Sequence, residues 1–270
     1  MVGDLSPLDF GYAPGAAAEV ISRTPQRGHT QETWRLVGSL GEEVLADAYL
    51  SPEPGPVVIG CHGKDDNRKA QYLRGPGMQW AAKGISLVAA DAPLHGDRAG
   101  ERPVPRVAIT DVDLLTRWVR DQRMLIDAVE TRFGEGVPIV YLGVSMGAVL
   151  GCHLLAADER PSAGILVVGG STVISIPERF DDEQDLSELL MLTDPTVPAA
   201  RIAPRPVLMM NADDDEVFSH RSAMALYDAL GHPKEISFFP GRHSRWRSPA
   251  QWNRRMLGFF DDTFSTASRP

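Results

Sequence analysis

From about residue 57 the chain alternates two kinds of segment, and this alternation constrains the fold more than any other feature. Short apolar runs are bounded by Gly, Pro or polar residues: PVVIGC (56–61), GISLVAAD (84–91), VPIVYLGV (137–144), AGILVVGG (163–170), RPVLMMN (205–211) and KEISFFP (234–240). Runs of this length without a polar face suit strands buried on both sides, as in a parallel sheet. The stretches between them carry helical periodicity. Val112, Leu115, Val119, Ile126, Val129 and Phe133 fall mostly at three- and four-residue steps, which line one face of a helix of about seven turns. Trp252, Met256, Phe260 and Phe264 recur every fourth residue, and Ser248 followed by Pro249 is a start signal for that helix. Strand and helix in this order predict a single α/β domain over residues 1–270, with a mostly parallel central sheet and helices on both faces. The earlier segments ETWRLVGSL and EEVLADAYLSP alternate instead, and predict an antiparallel hairpin at the sheet edge. Residues 171–204, acidic and Pro-rich, read as a small cap insertion over the carboxyl ends of the strands. Residues 1–25 read as a surface arm.

Composition narrows the function classes. A chain of 270 residues that is 43% hydrophobic and 23% charged is ordinary for a globular protein. Its net charge of −9 argues against a general affinity for nucleic acid or acidic membranes. The only two cysteines, Cys61 and Cys152, sit in apolar surroundings, so buried thiols are expected and no disulfide framework. The first residues, MVGDLSPLDFGYAPG, carry acids and prolines where a secretory leader has a basic start and an apolar core. No apolar run is long enough to span a bilayer. A cytoplasmic location is the resulting expectation. No set of His, Cys and acids has zinc-ligand spacing, so neither a metal nor a cofactor is expected.

The stretch GVSMG places Ser145 between Gly143 and Gly147, after the apolar VPIVYLGV and before the helix-like MGAVLGCHLLAAD. A G-x-S-x-G arises by chance in a chain this long roughly one time in ten, so the motif draws its weight from that placement. At a sharp strand-to-helix turn the serine backbone is strained and its close neighbours must be small. The hydroxyl then stands clear of the sheet, and the helix N-terminus turns N–H groups towards a developing oxyanion. A serine hydroxyl needs a base to take its proton and a carboxylate to hold that base. RPVLMMNADDDEVF supplies Asp213, Asp214 and Asp215 just after a strand, and KEISFFPGRHS supplies His243 just after the last one. Ser, Asp and His thus appear in order, each at a strand end, where α/β sheets bind ligands. The N–H of Met146, directly after the serine, is the first oxyanion donor expected. His153, eight residues beyond Ser145 on the same helix and about 12 Å along it, is too far to serve as the base.

These segments, with VVIGCHG, GISLVAADAPLHGDR, GVSMG, NADDDEV and PGRH in that order, resemble the α/β-hydrolase superfamily over roughly residues 40–265. Within it the chain is similar to the dienelactone-hydrolase and prolyl-oligopeptidase-type esterases. The resemblance implies the α/β-hydrolase fold and a Ser-His-Asp triad. The superfamily's usual G-x-x-D-x-x-V run, with Asn211 at the glycine place and Val217 at the valine place, implies Asp214 as the triad acid. It implies the N–H of Lys64, after the His-Gly pair, as the second oxyanion donor. It gives His62 and His95 structural roles, while His29, His220 and His232 read as surface residues.

Arg68, Lys69, Arg74, Arg98, Arg242 and Arg245 fall on loops near the expected rim, either as solvated loop charges or as a preference for an anionic substrate. The leading expectation is a serine hydrolase that cleaves a small to medium carboxylic ester through an acyl-enzyme. A peptidase, a perhydrolase or haloperoxidase, and a catalytically silent binding protein on the same fold are the alternatives. The expected partner is a small-molecule ester, with neither nucleic acid nor membrane.

Overall fold

The computed structural model describes residues 8–100, 111–179, 191–247 and 249–265. Nine strands form one sheet: β1 (Glu19–Gln26), β2 (His29–Val37), β3 (Glu43–Leu50), β4 (Val57–Cys61), β5 (Ser86–Ala90), β6 (Ile139–Val144), β7 (Pro161–Val167), β8 (Val207–Ala212) and β9 (Lys234–Phe239). Their order across the sheet is β1-β2-β3-β5-β4-β6-β7-β8-β9. The first three strands join antiparallel, and β3 meets β5 antiparallel. From β5 to β9 every pairing is parallel. All six apolar runs of the sequence are therefore the parallel strands. Two short strands, β10 (Gly241–Arg242) and β11 (Arg245–Trp246), form a separate ribbon after β9.

Helices cover both faces, and the two-residue period of each strand divides the core between them. On β4, Val57, Ile59 and Cys61 face one cluster and Val58 the other. The first cluster is filled by α2 (Val112–Phe133), α3 (Met146–Ala157) and α6 (His220–Ala229), through Trp118, Leu150 and Leu226. The second is filled by α1 (Gln71–Ala81) and α7 (Pro249–Ser265), through Leu73, Trp80, Trp252 and Phe260. The start of α2 is capped by Asp111, whose side chain accepts from the Leu114 N–H at 3.0 Å. Its end is set by Gly134, at φ 105°. Among the described residues no helix is long and apolar enough to cross a membrane.

Two expectations are corrected. The arm over residues 1–25 is in part the strand β1, which pairs with β2 and makes the outer edge of the sheet. The β2–β3 hairpin therefore lies one strand in. Residues 8–16 run across α2, where the Asp127 carboxylate accepts from the Tyr12 hydroxyl and the Gly15 N–H, both at 2.7 Å. Residues 1–7 lie outside the described residues. In the 171–204 insertion, α4 (Thr172–Arg179) and α5 (Thr196–Ala199) flank residues 180–190, which also lie outside them. Buried Asp194 accepts from Ser171, Thr172 and the Val173 N–H with one oxygen and from Thr196 with the other, so it ties residues 171–173 to 194–196.

Candidate active site

Ser145 sits between β6 and α3 with φ 56° and ψ −112°, a conformation that costs a non-glycine residue about 1–3 kcal/mol. Close packing holds it there. A Cβ on Gly143 would lie 2.3 Å from the Gly147 carbonyl oxygen, and one on Gly147 would lie 2.7 Å from the Cys61 carbonyl oxygen. The Ser145 N–H donates to the Val167 carbonyl at 2.8 Å. The turn is thus clamped between the ends of β4 and β7, and both glycines are required by space.

The Ser145 hydroxyl lies 2.8 Å from His243 Nε2. On the other side of the ring, His243 Nδ1 faces both carboxylate oxygens of Asp215, each at 3.0 Å. The acid expected from the superfamily register, Asp214, does not meet the histidine. The N–H groups of Asp213 and Asp214 donate to the carbonyls of Phe239 and Gly241 and so continue the β8–β9 pairing beyond the strands. Both residues lie in the turn that follows β8, and their side chains are exposed. Asp215 is the one of the three whose side chain is buried: it is 1% exposed, and one oxygen accepts from the Val217 and Phe218 N–H groups at 2.8 Å. Side-chain oxygen to N–H bonds two and three residues on are the usual aspartate turn geometry, which any of three consecutive aspartates could supply in the sequence. Asn211, at the usual glycine place, is wholly buried and donates its amide to the Gly169 carbonyl at 2.8 Å. His243 is further held by its own N–H, which donates to Glu216 Oε2 at 3.1 Å, and by Phe218, with ring centroids 5.8 Å apart.

Lys64 and Met146 both line the cleft beside Ser145. Met146 is the first residue of α3, where a helical N–H has no acceptor one turn back. Gly63 is close enough to the serine that a Cβ there would lie 3.5 Å from the Ser145 Cβ. Its N–H donates to the Tyr72 hydroxyl at 2.8 Å, a brace that sequence reasoning missed. His62 fixes the same loop: the Ala92 N–H donates to Nε2 at 3.0 Å, so Nδ1 carries the proton and donates to the Gly63 carbonyl at 2.7 Å. Burial pushes its pKa down to about 4, which keeps the ring neutral. His95 is buried against it, with centroids 5.1 Å apart. His153 is buried and meets the Thr193 carbonyl, and His29 is half-buried rather than on the surface.

The loop cations do not form an anion-binding rim. Arg68 is buried among Asp47, Asp91 and Asp97, Arg98 pairs with Glu42 and Asp121, and Arg242 with Glu216. None of the six lines the cleft; among the described residues its Lys, Arg, Asp and Glu lining is Lys64, Asp65 and Asp66. The cleft has a volume of roughly 1140 Å³ and runs past Ser145 in two directions. One is towards Val168, Ile176, Val217 and Phe218, and the other lies between α1 and α7.

A hydroxyl bonded to an imidazole that is itself held by a buried carboxylate is the arrangement that activates serine as a nucleophile. The family model that matches, Hydrolase_4, is described as serine aminopeptidase, S33, and covers residues 52–202, more than half of the chain. The chain belongs to this family. This hydrolase is also 24% identical over 231 residues to a Bacillus subtilis (strain 168) protein named "Putative esterase YitV", covering 76% of this chain and 88% of that one. Among solved structures it is similar to an acetyl xylan esterase from Paenibacillus sp. R4, with TM-score 0.75 and 19% identity over 96% of this chain and 90% of that one. It is similar too to a cold-adapted esterase from an Arctic intertidal metagenomic library, with TM-score 0.70 and 22% identity over 90% of this chain and 97% of that one. These likenesses show the α/β-hydrolase fold.

Proposed function

We propose that this hydrolase cleaves carboxylic esters of small to medium size through an acyl-enzyme on Ser145. The observation that carries the reading is the 2.8 Å contact from the Ser145 hydroxyl to His243, with Asp215 at 3.0 Å behind the ring. Asp215 accepts a hydrogen bond from Nδ1–H, which keeps the proton on Nδ1 and leaves Nε2 able to accept from the hydroxyl. Ser145 Oγ attacks the ester carbonyl as its proton passes to His243. The N–H groups of Lys64 and Met146 hold the oxyanion, and loss of one such donor costs about 3 kcal/mol of transition-state stabilisation. His243 then gives the proton to the departing alcohol, and a water repeats the sequence on the acyl-enzyme. The relatives named as esterases support an ester over other acyl compounds.

The test is a fluorophosphonate probe together with turnover of p-nitrophenyl acetate. The parent protein becomes labelled at Ser145 and hydrolyses the ester. Ser145→Ala takes up no label and loses at least about 10³-fold in kcat. Equal labelling of the two proteins refutes the reading. The family's description as an aminopeptidase supports a second reading, amide hydrolysis after an N-terminal residue. Asp65 and Asp66 in the cleft are the side chains that would meet its ammonium group. Cleavage of aminoacyl p-nitroanilides faster than of p-nitrophenyl esters would select that reading.

A further inference from the structure

The cleft continues from Ser145 between α1 and α7, with Tyr72, Gly75 and Pro76 on one wall and Trp246, Ala250 and Met256 on the other. Gly75 and Pro76 are interior to an eleven-residue helix, although glycine and proline are the two poorest helix formers. Pro76 has no N–H, and it leaves the Tyr72 carbonyl without its helical donor. The next residue, Gly77, has a packing reason, because a Cβ there would stand 2.7 Å from the Tyr49 ring. Gly75 has no such reason. Its φ is not left-handed, and a Cβ would meet only the far end of the flexible Gln71 side chain, at 3.3 Å. What glycine supplies at this position is room in the cleft.

A polar bridge crosses the cleft at the far end of α1. Asn253 on α7 accepts from Trp80 Nε1 at 2.6 Å and donates to Gln79 at 3.1 Å, which bridges the two helices. Gln79 and Asn253 both line the cleft. From Tyr72, whose hydroxyl holds Gly63 beside the serine, to Gln79 is a helical rise of about 10 Å. Apart from Gln71, whose amide lies beside Gly75, the walls between are aromatic, aliphatic or without a side chain.

We propose that this arm of the cleft is a subsite for an unbranched apolar chain of the substrate, with Gly75 as its specificity-determining residue. A length of about 10 Å takes roughly eight carbons, given C–C bonds of about 1.5 Å. Burial of the chain against Tyr72, Trp246 and Met256 removes apolar surface from water and favours long substrates over short ones. The inference rests on the ester reading above, and the chain belongs either to the acyl group or to the alcohol.

Two substrate pairs distinguish these sources: p-nitrophenyl octanoate against the acetate, and octyl acetate against ethyl acetate. kcat/KM is measured for all four on the parent, Gly75→Leu and Ala250→Leu. Ala250 is exposed in the first turn of α7, so its variant tests the opposite wall without disturbing the core. Melting curves check that Gly75→Leu is folded. In one of the pairs the parent prefers the long ester, and the long-to-short ratio falls at least tenfold in both variants. A fall in the first pair assigns the arm to the acyl chain, and a fall in the second to the alcohol. A smaller fall, or none, in either variant overturns the subsite while short esters are still cleaved. A parent protein that cleaves none of the four overturns the ester reading itself.

Discussion

Asp213, Asp214 and Asp215 follow one another in a single turn, yet their surroundings separate them. Asp213 and Asp214 spend their N–H groups on the Phe239 and Gly241 carbonyls and direct their carboxylates to water. Asp215 is buried, and its charge is met by two backbone N–H groups and by His243. A buried carboxylate without such partners would be costly. Asp215→Asn turns an amide towards Nδ1, so the imidazole keeps its proton on Nε2 and no longer accepts from Ser145. A fall of about 10⁴-fold in kcat on p-nitrophenyl acetate is expected, with the fold retained. Asp214→Asn should stay within about threefold, since nothing in the site touches that side chain. Equal losses in the two variants would contradict the assignment. Ser145 and His243 could be read in the sequence because each is alone at its strand end. The acid could not, because its place depends on how far the β8–β9 pairing runs, and three identical residues give no signal of that length.

At the scale of the element, the β6–α3 turn is a packing unit. Gly143 fits under the Gly147 carbonyl, and Gly147 fits against the Cys61 carbonyl at the end of β4. These neighbours are backbone and cannot swing aside as a flexible side chain would. Gly147→Ala should therefore destabilise by at least about 2 kcal/mol, in the upper part of the usual overpacking range. It should also move Ser145 and lower kcat. Urea unfolding measures the first effect and ester turnover the second; a variant as stable as the parent would show that the close approach is relieved elsewhere. The parallel strands were legible because both faces are buried, which leaves continuous apolar runs such as VVIGC. β1 was not. All eight residues of EVISRTPQ are exposed, so they carry neither an apolar run nor alternation, and only the pairing with β2 makes them a strand.

Across the whole molecule, two histidines are held neutral in separate places, His62 under the loop beside the serine and His153 on α3 beneath Thr193. Burial pushes both pKa values down to about 4, from an unfolded value of 6.5. Between those two values the unfolded chain binds the protons and the folded one does not, so stability rises with pH there. It is lost as pH falls from 6.5 towards 4, by about 2 kcal/mol per imidazole between pH 7 and pH 5. Carboxylates act in a lower window. Glu42, where burial is outweighed by backbone N–H groups and by Arg117 and Arg98, is held down at about 2. Its contribution is lost as pH falls from 4.5 towards 2, a lower window than that of the two histidines. His153→Gln keeps a donor for the Thr193 carbonyl but cannot be protonated, and it lies away from the serine. Its unfolding free energy in urea should therefore drop about 2 kcal/mol less than that of the parent between pH 7 and pH 5. Equal drops in the two proteins would mean that His153 meets water before the molecule unfolds.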